Sequence, residues 1–452
     1  MISKTKSVIK MPVFKALLTL AFPIILSNLF QAMYHLTDSF WVGRLGGSAL
    51  ASVSICGPII FLAFSIGLGF AVAGSTFAAQ YFGAKNHEMV NHTTAQTILV
   101  ISLISLLLSS TGFIFAPNLL QFMGATSDIF PMALSFLRIS FISVIFNFSF
   151  FIFQSIMRGI GKVKIPLFIV IGTVLINFII DPILIFGFGP IPPFGPSGAA
   201  LATLITQSLA AITGFIILFG SKWGLDLKFH HFRLDLKFIK KAFLIGLPAS
   251  IEQSSRNLAM IVMISLIAGF GTTAIASYGA GTNLIQIAIL VGLGLAAANG
   301  TLVGQNIGAK DMIQAVRVSK LSAVISFFIL SFIGLIVFLF SRQFISFFIP
   351  SDSAVIDGGS HFIRIVALGF GFIGLHMSFG HVFLAAGKSS TSMTLTLLSQ
   401  WLIQIPLAYF LSQHTSLGIN GLWIALPVTN ITIAFIAFLI YKKGSWQKVQ
   451  II

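Results

Sequence analysis

Two of the three acidic residues that lie inside long apolar segments of this chain have polar neighbours at helical spacing. Asp38 follows Gln31 and Tyr34 at intervals that place all three on one face of a helix. Asp181 lies four residues after Asn177, on one face of another apolar segment. An ionised carboxylate inside a membrane costs roughly 2.5–3.5 kcal/mol on insertion scales, and such residues are usually functional. The two acids therefore predict a site for a proton or a cation.

A third polar face belongs to the next apolar segment, where Thr203 and Gln207 are four residues apart. Asp38 and Asp181 come late in segments that we expect to run outward, and Thr203 comes early in one that runs inward. All three faces then offer polar groups to the outer half of one helical bundle. The alternative is a hydrogen-bond network that only fastens the helices together.

The remaining acids and the histidines give weaker signals. Glu252 precedes Arg256 by four residues, so the two can neutralise each other on a helix. We expect a buried structural pair there, with a role in substrate binding as the alternative. His35, His376 and His381 lie within spans without a second His or Cys at metal-ligand spacing, so packing or hydrogen bonding is expected. The other acids are expected to be solvated in loops or at helix ends: Glu88, Asp128, Asp226, Asp235, Asp311, Asp352 and Asp357.

The composition is that of an integral membrane protein. Hydrophobic residues make up 57% of the 452 residues and charged residues 8%, whereas a soluble protein carries about a quarter charged residues. Most apolar runs exceed 18 residues, which is enough to cross a bilayer as a helix. We predict twelve spans, at roughly 14–42, 50–80, 93–117, 129–156, 165–187, 197–220, 238–268, 273–304, 314–340, 355–385, 390–412 and 417–441.

The net charge of +16 follows the membrane topology and does not indicate nucleic acid. With the N-terminus inside, the inner segments hold 21 of the 26 Lys and Arg residues. This positive-inside bias places both termini in the cytoplasm and requires an even number of spans. The single cysteine, Cys56, excludes an internal disulfide.

The chain is an internal duplicate. "AQYFGAK" recurs 225 residues later as "GQNIGAK", and the rest of the two halves aligns at nearly the same shift. The acids do not recur, because Met263 and Ile405 occupy the positions that match Asp38 and Asp181. An acidic site is thus expected in the first half alone.

The duplication predicts two parallel six-helix repeats related by an axis along the membrane normal. The first lobe is expected at 1–220 and the second at 242–452. A basic cytoplasmic linker, 221–241, alternates apolar and basic residues, so it is either amphipathic and lies on the inner membrane surface or a solvated loop. Pro23, which recurs as Pro248, removes a backbone hydrogen bond within the first span. It is either a moving hinge or a static kink.

Several motifs together resemble those of multidrug and toxic compound extrusion (MATE) transporters over essentially the whole chain. They are "LAFPIILSNLFQAMYHLTDSFWVGRLGGSALASVSI", "AQYFGAKN", "QSIMRGIGKVKIP", "INFIIDPILIFGFG" and "GPSGAALAT", with the second-half echoes "GLPASIEQ", "GQNIGAK" and "AAGK". The resemblance implies two six-helix lobes around a central cavity that opens alternately to each side of the membrane. It also implies antiport of organic cations against protons or sodium ions.

Within that family the chain resembles the DinF-like branch, whose ion site lies in the N-terminal lobe. Its pattern falls here on Tyr34, Asp38, Asn177, Asp181 and Thr203. The NorM-like branch adds an acidic site in the second lobe. This chain departs from that pattern because its tenth span contains no acid.

The sequence thus predicts an all-α, ion-coupled multidrug efflux antiporter of a prokaryotic inner membrane. We expect organic cations as substrates, a monomer surrounded by membrane lipids, no nucleic-acid partner and no cofactor. It is not expected to be an enzyme, because nucleotide-binding and hydrolase motifs are missing. Protons are favoured over sodium as the coupling ion, although a sodium site at Asp38, Asn177 and Asp181 is the alternative. The runner-up function is a lipid or glycolipid flippase. A passive channel lacks repeated rings of charge, and an uptake carrier for one metabolite stays open.

Overall fold

The structure, a computed structural model, describes residues 11–220, 225–350 and 352–448. Four basic residues that count toward the predicted inner charge lie outside these ranges: Lys4, Lys6, Lys10 and Lys222. The described residues form helices and short connections, with one isolated β-bridge between Phe188 and Ile191. The all-α prediction is confirmed.

Six long helices occupy the first half of the chain. Each corresponds to a predicted span, with ends that differ by a few residues, because long apolar runs have no alternative to helix in a membrane. They are α1 (Val13–Gly43), α2 (Gly47–Gly83), α3 (His87–Phe122), α4 (Phe130–Gly159), α5 (Lys164–Phe186) and α6 (Pro196–Phe219).

The second half repeats this order with three interruptions. Its helices are α7 (Leu236–Ala268), α8 (Thr272–Gly308), α9 (Met312–Leu339), α10 (Ser341–Phe348), α11 (Ser353–Ala367), α12 (Phe370–Ala385), α13 (Ser389–Leu397), α14 (Ile405–Gln413) and α15 (Ile419–Lys442). α10 is a short helix between spans, and α11 and α12 form one span bent by 50°. A π-helical segment, Leu398–Gln404, joins α13 to α14 within another span.

Ten described helical segments are long and apolar enough to cross a membrane, and the bent pair adds an eleventh. α7 is also long, with 33 residues, but it is less apolar because it carries lysines near its start and Glu252 and Arg256 near its middle. With α7, the described residues contain a helical segment at each of the twelve predicted spans, six in each repeat.

The turns after α2 and α8, whose sequences match in the two repeats, also share their backbone conformation. Lys85 and Lys310 occupy the left-handed region, with φ of 58° and 60°, at the matching turns after α2 and α8. The next residue in each turn, Asn86 or Asp311, caps the following helix by accepting a backbone N–H at 3.1 and 2.9 Å. Asp311 is therefore a helix cap and not simply a solvated acid.

The described chain forms two compact units. One runs from Leu26 to Gln253, and the other consists of the chain up to Ile25 and from Ser254 onward. The change from one unit to the other falls inside α1 and α7, shortly after Pro23 and Pro248. The predicted lobes, 1–220 and 242–452, differ from these units because α1 and α7 are each divided between the two units. The lobe limits stay a prediction.

The predicted linker is docked along part of its length. Residues 225–235, called the strap below, contain a 3₁₀ turn at Phe229–Phe232 and bury Leu225 and Leu227 in the core of the unit Leu26–Gln253. α7 begins at Leu236, so the last residues of the predicted linker are helical. The first four residues of the predicted linker, 221–224, lie outside the described residues.

Glycine permits a close approach of α6 to α5. A Cβ added to Gly198 would lie 2.5 Å from the carbonyl oxygen of Leu184, a backbone atom that cannot rotate away. The second repeat has the same contact, where a Cβ on Gly421 would lie 2.4 Å from the carbonyl carbon of Leu411. Small residues allow such close helix packing within membranes. This contact fixes the two helices that carry most of the predicted polar site.

Gly198→Ala should therefore destabilise the protein by about 1–3 kcal/mol, the usual cost of an overpacked contact. The measurement is thermal unfolding in detergent, with transport assayed in parallel. Gly172→Ala is the matched control, because nothing lies within 4 Å of a Cβ at that helical position in α5. Equal unfolding temperatures for the two variants would contradict the packing argument.

Candidate functional site

A cavity of about 150 Å³ lies within the unit Leu26–Gln253. α1 lines it with Gln31, Tyr34, His35 and Asp38, and α6 lines it with Thr203 and Gln207. The two polar faces that the sequence places on different helices therefore meet at one cavity. Much of the remaining wall is aromatic, formed by Phe64, Phe136, Phe150 and Phe151.

The two acids of this unit meet at the side of the cavity. Asp38 lines the wall with 9% of its surface exposed, and Asp181 is completely buried. Their carboxyl groups lie close enough to interact electrostatically. Thr203 Oγ1 donates to Asp38 Oδ2 at 3.3 Å, and Asn177 Nδ2 donates to Asp181 Oδ1 at 3.1 Å. Each carboxyl group thus has one oxygen held by a neighbouring donor.

The other oxygens of the cluster have no donor. Among the described residues, no hydrogen bond reaches Asp38 Oδ1, Asp181 Oδ2 or Asn177 Oδ1. A buried acceptor without a partner is costly, and a buried charge without one is more so. A proton between the carboxyl groups, or a cation bound by the three oxygens, would satisfy this deficit.

Tyr34 completes the polar wall next to the acids. Its hydroxyl lies beside the hydroxyls of Thr173 and Thr206. Both threonines already donate to backbone carbonyls of their own helices, at 3.0 and 2.9 Å. Neither threonine has a hydroxyl hydrogen left for the tyrosine oxygen, and Tyr34 Oη has no hydrogen-bond partner among the described residues.

The cavity also has a polar stripe that the sequence reading overlooked. Ser140, Ser143 and Asn147 of α4 line it at spacings i, i+3 and i+7. The same spacing singled out the polar face of α1, so it could have revealed this stripe as well. His35, which was expected to have a packing role, lines the cavity as well as packing its ring against Phe61 at 5.6 Å.

The second unit has no equivalent of the acid pair among its described residues. Met263, at the position that matches Asp38, is 1% exposed and packs as an ordinary core residue. Arg256 donates from Nη2 to Thr396 Oγ1 at 3.2 Å, and Glu252 is buried in the other unit. Whether these two act in transport stays a prediction.

The family comparison reproduces the duplication. The sequence model of the MatE family matches twice, at residues 23–183 and 248–410. The chain belongs to the MatE family. Proteins of the MatE family are transporters rather than enzymes, and the resemblance to MATE transporters is confirmed, whereas the DinF-like branch stays a prediction.

Several relatives in the MatE family match almost end to end. "Probable multidrug resistance protein YoeA" of Bacillus subtilis is 26% identical over 434 residues, covering 95% of this chain and 93% of its own. A FAD transporter of Shewanella oneidensis is also 26% identical, covering 96% and 95%. The crystal structure of MATE in complex with MaL6 superposes with a TM-score of 0.92 at 24% identity, covering 99% of this chain and 100% of its own. This likeness shows that the fold is shared.

Proposed function

We propose that this protein is an ion-coupled antiporter that exports organic cations across a prokaryotic cytoplasmic membrane by alternating access. The observation that carries the proposal is the pair of neighbouring acids Asp38 and Asp181, of which Asp38 lies on the wall of the cavity. Two carboxylates at this separation resist being ionised together, so the pair is poised to exchange one positive charge. A site that gains and loses a positive charge can couple an ion to a cationic substrate.

The wall of the cavity favours a cationic, partly aromatic substrate. Asp38 supplies negative charge, the phenylalanines supply flat apolar surface, and the polar groups of α1, α4 and α6 supply hydrogen bonds. Cations are attracted to aromatic faces as well as to carboxylates. No lysine or arginine is among the described residues that line this cavity.

The same charges argue against anionic substrates at this site. One relative transports FAD, whose phosphates are negative, and a flippase for phospholipids or glycolipid phosphates would also have to neutralise anions. Such groups are normally bound by arginine or lysine. The flippase therefore stays the second candidate. A cationic cavity would distinguish a flippase from the proposed antiporter.

The sequence and the division into units support an orientation and a hinge. The positive-inside bias supports a cytoplasmic location of both termini, and the protein is proposed to work as a monomer. α1 and α7 each pass from one unit to the other shortly after a proline. A proline removes a helical hydrogen bond at that point, which favours Pro23 as a hinge for alternating access.

Protons are the proposed coupling ion. An outside proton would bind between Asp38 and Asp181 as the substrate leaves, and its release to the inside would restore a negative site for the next substrate. Sodium is the second candidate, and the donor-free oxygens of Asp38, Asn177 and Asp181 favour it. Carboxylate and amide oxygens are the ligands that hard cations prefer.

Transport of a fluorescent organic cation into inverted vesicles or proteoliposomes tests both statements. A pH gradient alone, in sodium-free buffer, should drive uptake of the dye. If uptake requires a sodium gradient and persists after an ionophore collapses the pH gradient, the proton assignment is wrong and the three residues become sodium ligands. If neither gradient drives dye uptake, the antiporter proposal itself fails.

A further inference from the structure

The strap is held against the inner end of α3 by one buried glutamine. Gln96 is completely buried, and its Nε2 donates to the carbonyl oxygens of His231 at 2.8 Å and Arg233 at 2.7 Å. Its Oε1 accepts the backbone N–H of Asp235 at 3.1 Å. All three side-chain hydrogen-bonding positions used by Gln96 thus bind the backbone of the strap.

An acid fastens the end of the strap where α7 begins. Asp235 Oδ1 accepts the N–H groups of Lys237 and Phe238, and its Oδ2 contacts His92 Nε2 at 3.1 Å. The hydrogen bond from Phe238 and the contact with His92 hold the pKa of Asp235 below its usual value, so it is charged at neutral pH. Asp235 is therefore a cap and an anchor, contrary to the expectation of a solvated acid.

The middle of the strap is fastened by a cluster that resembles a metal site. Glu88, His230 and His231 place three ligand-type atoms within 4.8 Å of one another. However, His231 Nδ1 accepts the backbone N–H of Lys228 at 2.9 Å, so the proton of the neutral ring lies on Nε2. That Nε2–H points at Glu88 Oε1, 2.8 Å away. The cluster is a hydrogen-bonded clasp, because a metal-bound histidine would need the opposite tautomer.

A strap held this firmly cannot turn its outer face inward. Phe229 is 98% exposed and Leu234 66% exposed, while Leu225, Leu227 and His231 are buried on the other side. Lys228 and Arg233, next to these exposed apolar residues, are exposed as well. In the sequence the strap lies between α6 and α7, whose inner ends are at the depth of the lipid headgroups in the predicted topology.

We infer that the exposed face of the strap, formed by Lys228, Phe229, Arg233 and Leu234, binds anionic phospholipids of the inner leaflet. Aromatic rings are enriched at membrane interfaces, and basic residues near an anionic leaflet attract its headgroups. A face that is both apolar and cationic is better accommodated at the membrane interface than in water. The inference is independent of which substrate the transporter carries.

The acids near this face neutralise only part of its charge. Asp226 pairs with Lys228 at 3.6 Å, and both side chains stay more than half exposed. Glu88 and Asp235 are engaged by histidines of the clasp and of α3. Arg233 and the lysines that follow at the start of α7, Lys237, Lys240 and Lys241, leave the surface positive.

A fluorescent probe at the tip of the strap tests the inference directly. Cys56 is the single cysteine and is buried, so a Cys56→Ser background allows Phe229→Cys to be labelled with bimane alone. The full-length protein is placed in nanodiscs that contain brominated phosphatidylglycerol or brominated phosphatidylcholine at equal mole fraction. Bromine should quench the label in both, with an about fivefold preference for the anionic lipid, the size expected from one basic residue near an anionic surface.

Removing the basic side chains of the strap then distinguishes recognition of anionic lipid from simple closeness to the membrane. Lys228→Gln with Arg233→Gln should abolish the preference for phosphatidylglycerol. The matched control, Lys310→Gln with Lys320→Gln, removes the same charge from exposed inner positions of the second repeat and should retain the preference. No quenching by either lipid would overturn the inference, because the strap would then face water. Equal quenching by both lipids, unchanged by either double substitution, would overturn the anionic recognition.

Discussion

Replacing Asp38 by asparagine should abolish coupled export while the protein still folds and inserts. The amide oxygen of asparagine can still accept the hydrogen bond from Thr203, so the contact between α1 and α6 survives. The amide cannot take up and release a proton, and it carries no charge for a cation. Coupled transport should fall to the level of passive leakage, measured as dye uptake in proteoliposomes at matched protein content.

The control for this variant is Asp357→Asn, the same chemical change at an exposed acid that pairs with Arg342 at 3.0 Å. A surface ion pair contributes little, so that variant should transport like the wild type. Wild-type rates in Asp38→Asn would show that the neighbouring carboxyl groups only fasten the helices. A loss in both variants would indicate a general sensitivity to lost charge.

The membrane spans could be predicted from sequence because every long apolar run must form a helix. The interruptions could not, since they depend on packing between distant residues. The bend between α11 and α12 lies at Gly369, where a Cβ would be 3.0 Å from Cα of Pro427. Likewise, the strap is held by side chains of α3 that come more than 130 positions earlier in the sequence. No local sequence pattern predicts such contacts.

For the candidate site, helical spacing identified the faces but not how they meet. The spacing of Asn177 and Asp181 predicts their hydrogen bond, since residues four apart are neighbours on a helix. Asp38 and Thr203 are 165 residues apart in the sequence, so their contact could be expected only from the similar membrane depth estimated for the two residues. The stripe Ser140–Ser143–Asn147 escaped notice because it contains no acid, although small hydroxyl and amide residues at that spacing are also a polar face.

Asp181→Asn should disable coupling far more than the loss of both charges in the central pair of α7. Asp181 is completely buried, accepts a hydrogen bond from Asn177 and lies near the other acid, Asp38. An asparagine at this position would offer an N–H to Asp38, which would keep that carboxyl group ionised and prevent the exchange of a proton. Coupled export should then fall to leakage, as in Asp38→Asn.

The comparison is the double substitution Glu252→Gln with Arg256→Gln, which removes a positive and a negative charge together. Opposite charges four residues apart on a helix can be replaced as a unit, because neither charge is left uncompensated. Most of the transport should therefore survive, measured as drug resistance at matched expression and as dye uptake in proteoliposomes. If the double variant is inactive and Asp181→Asn is only mildly impaired, the coupling site belongs on α7 and the acid pair of the first repeat is structural.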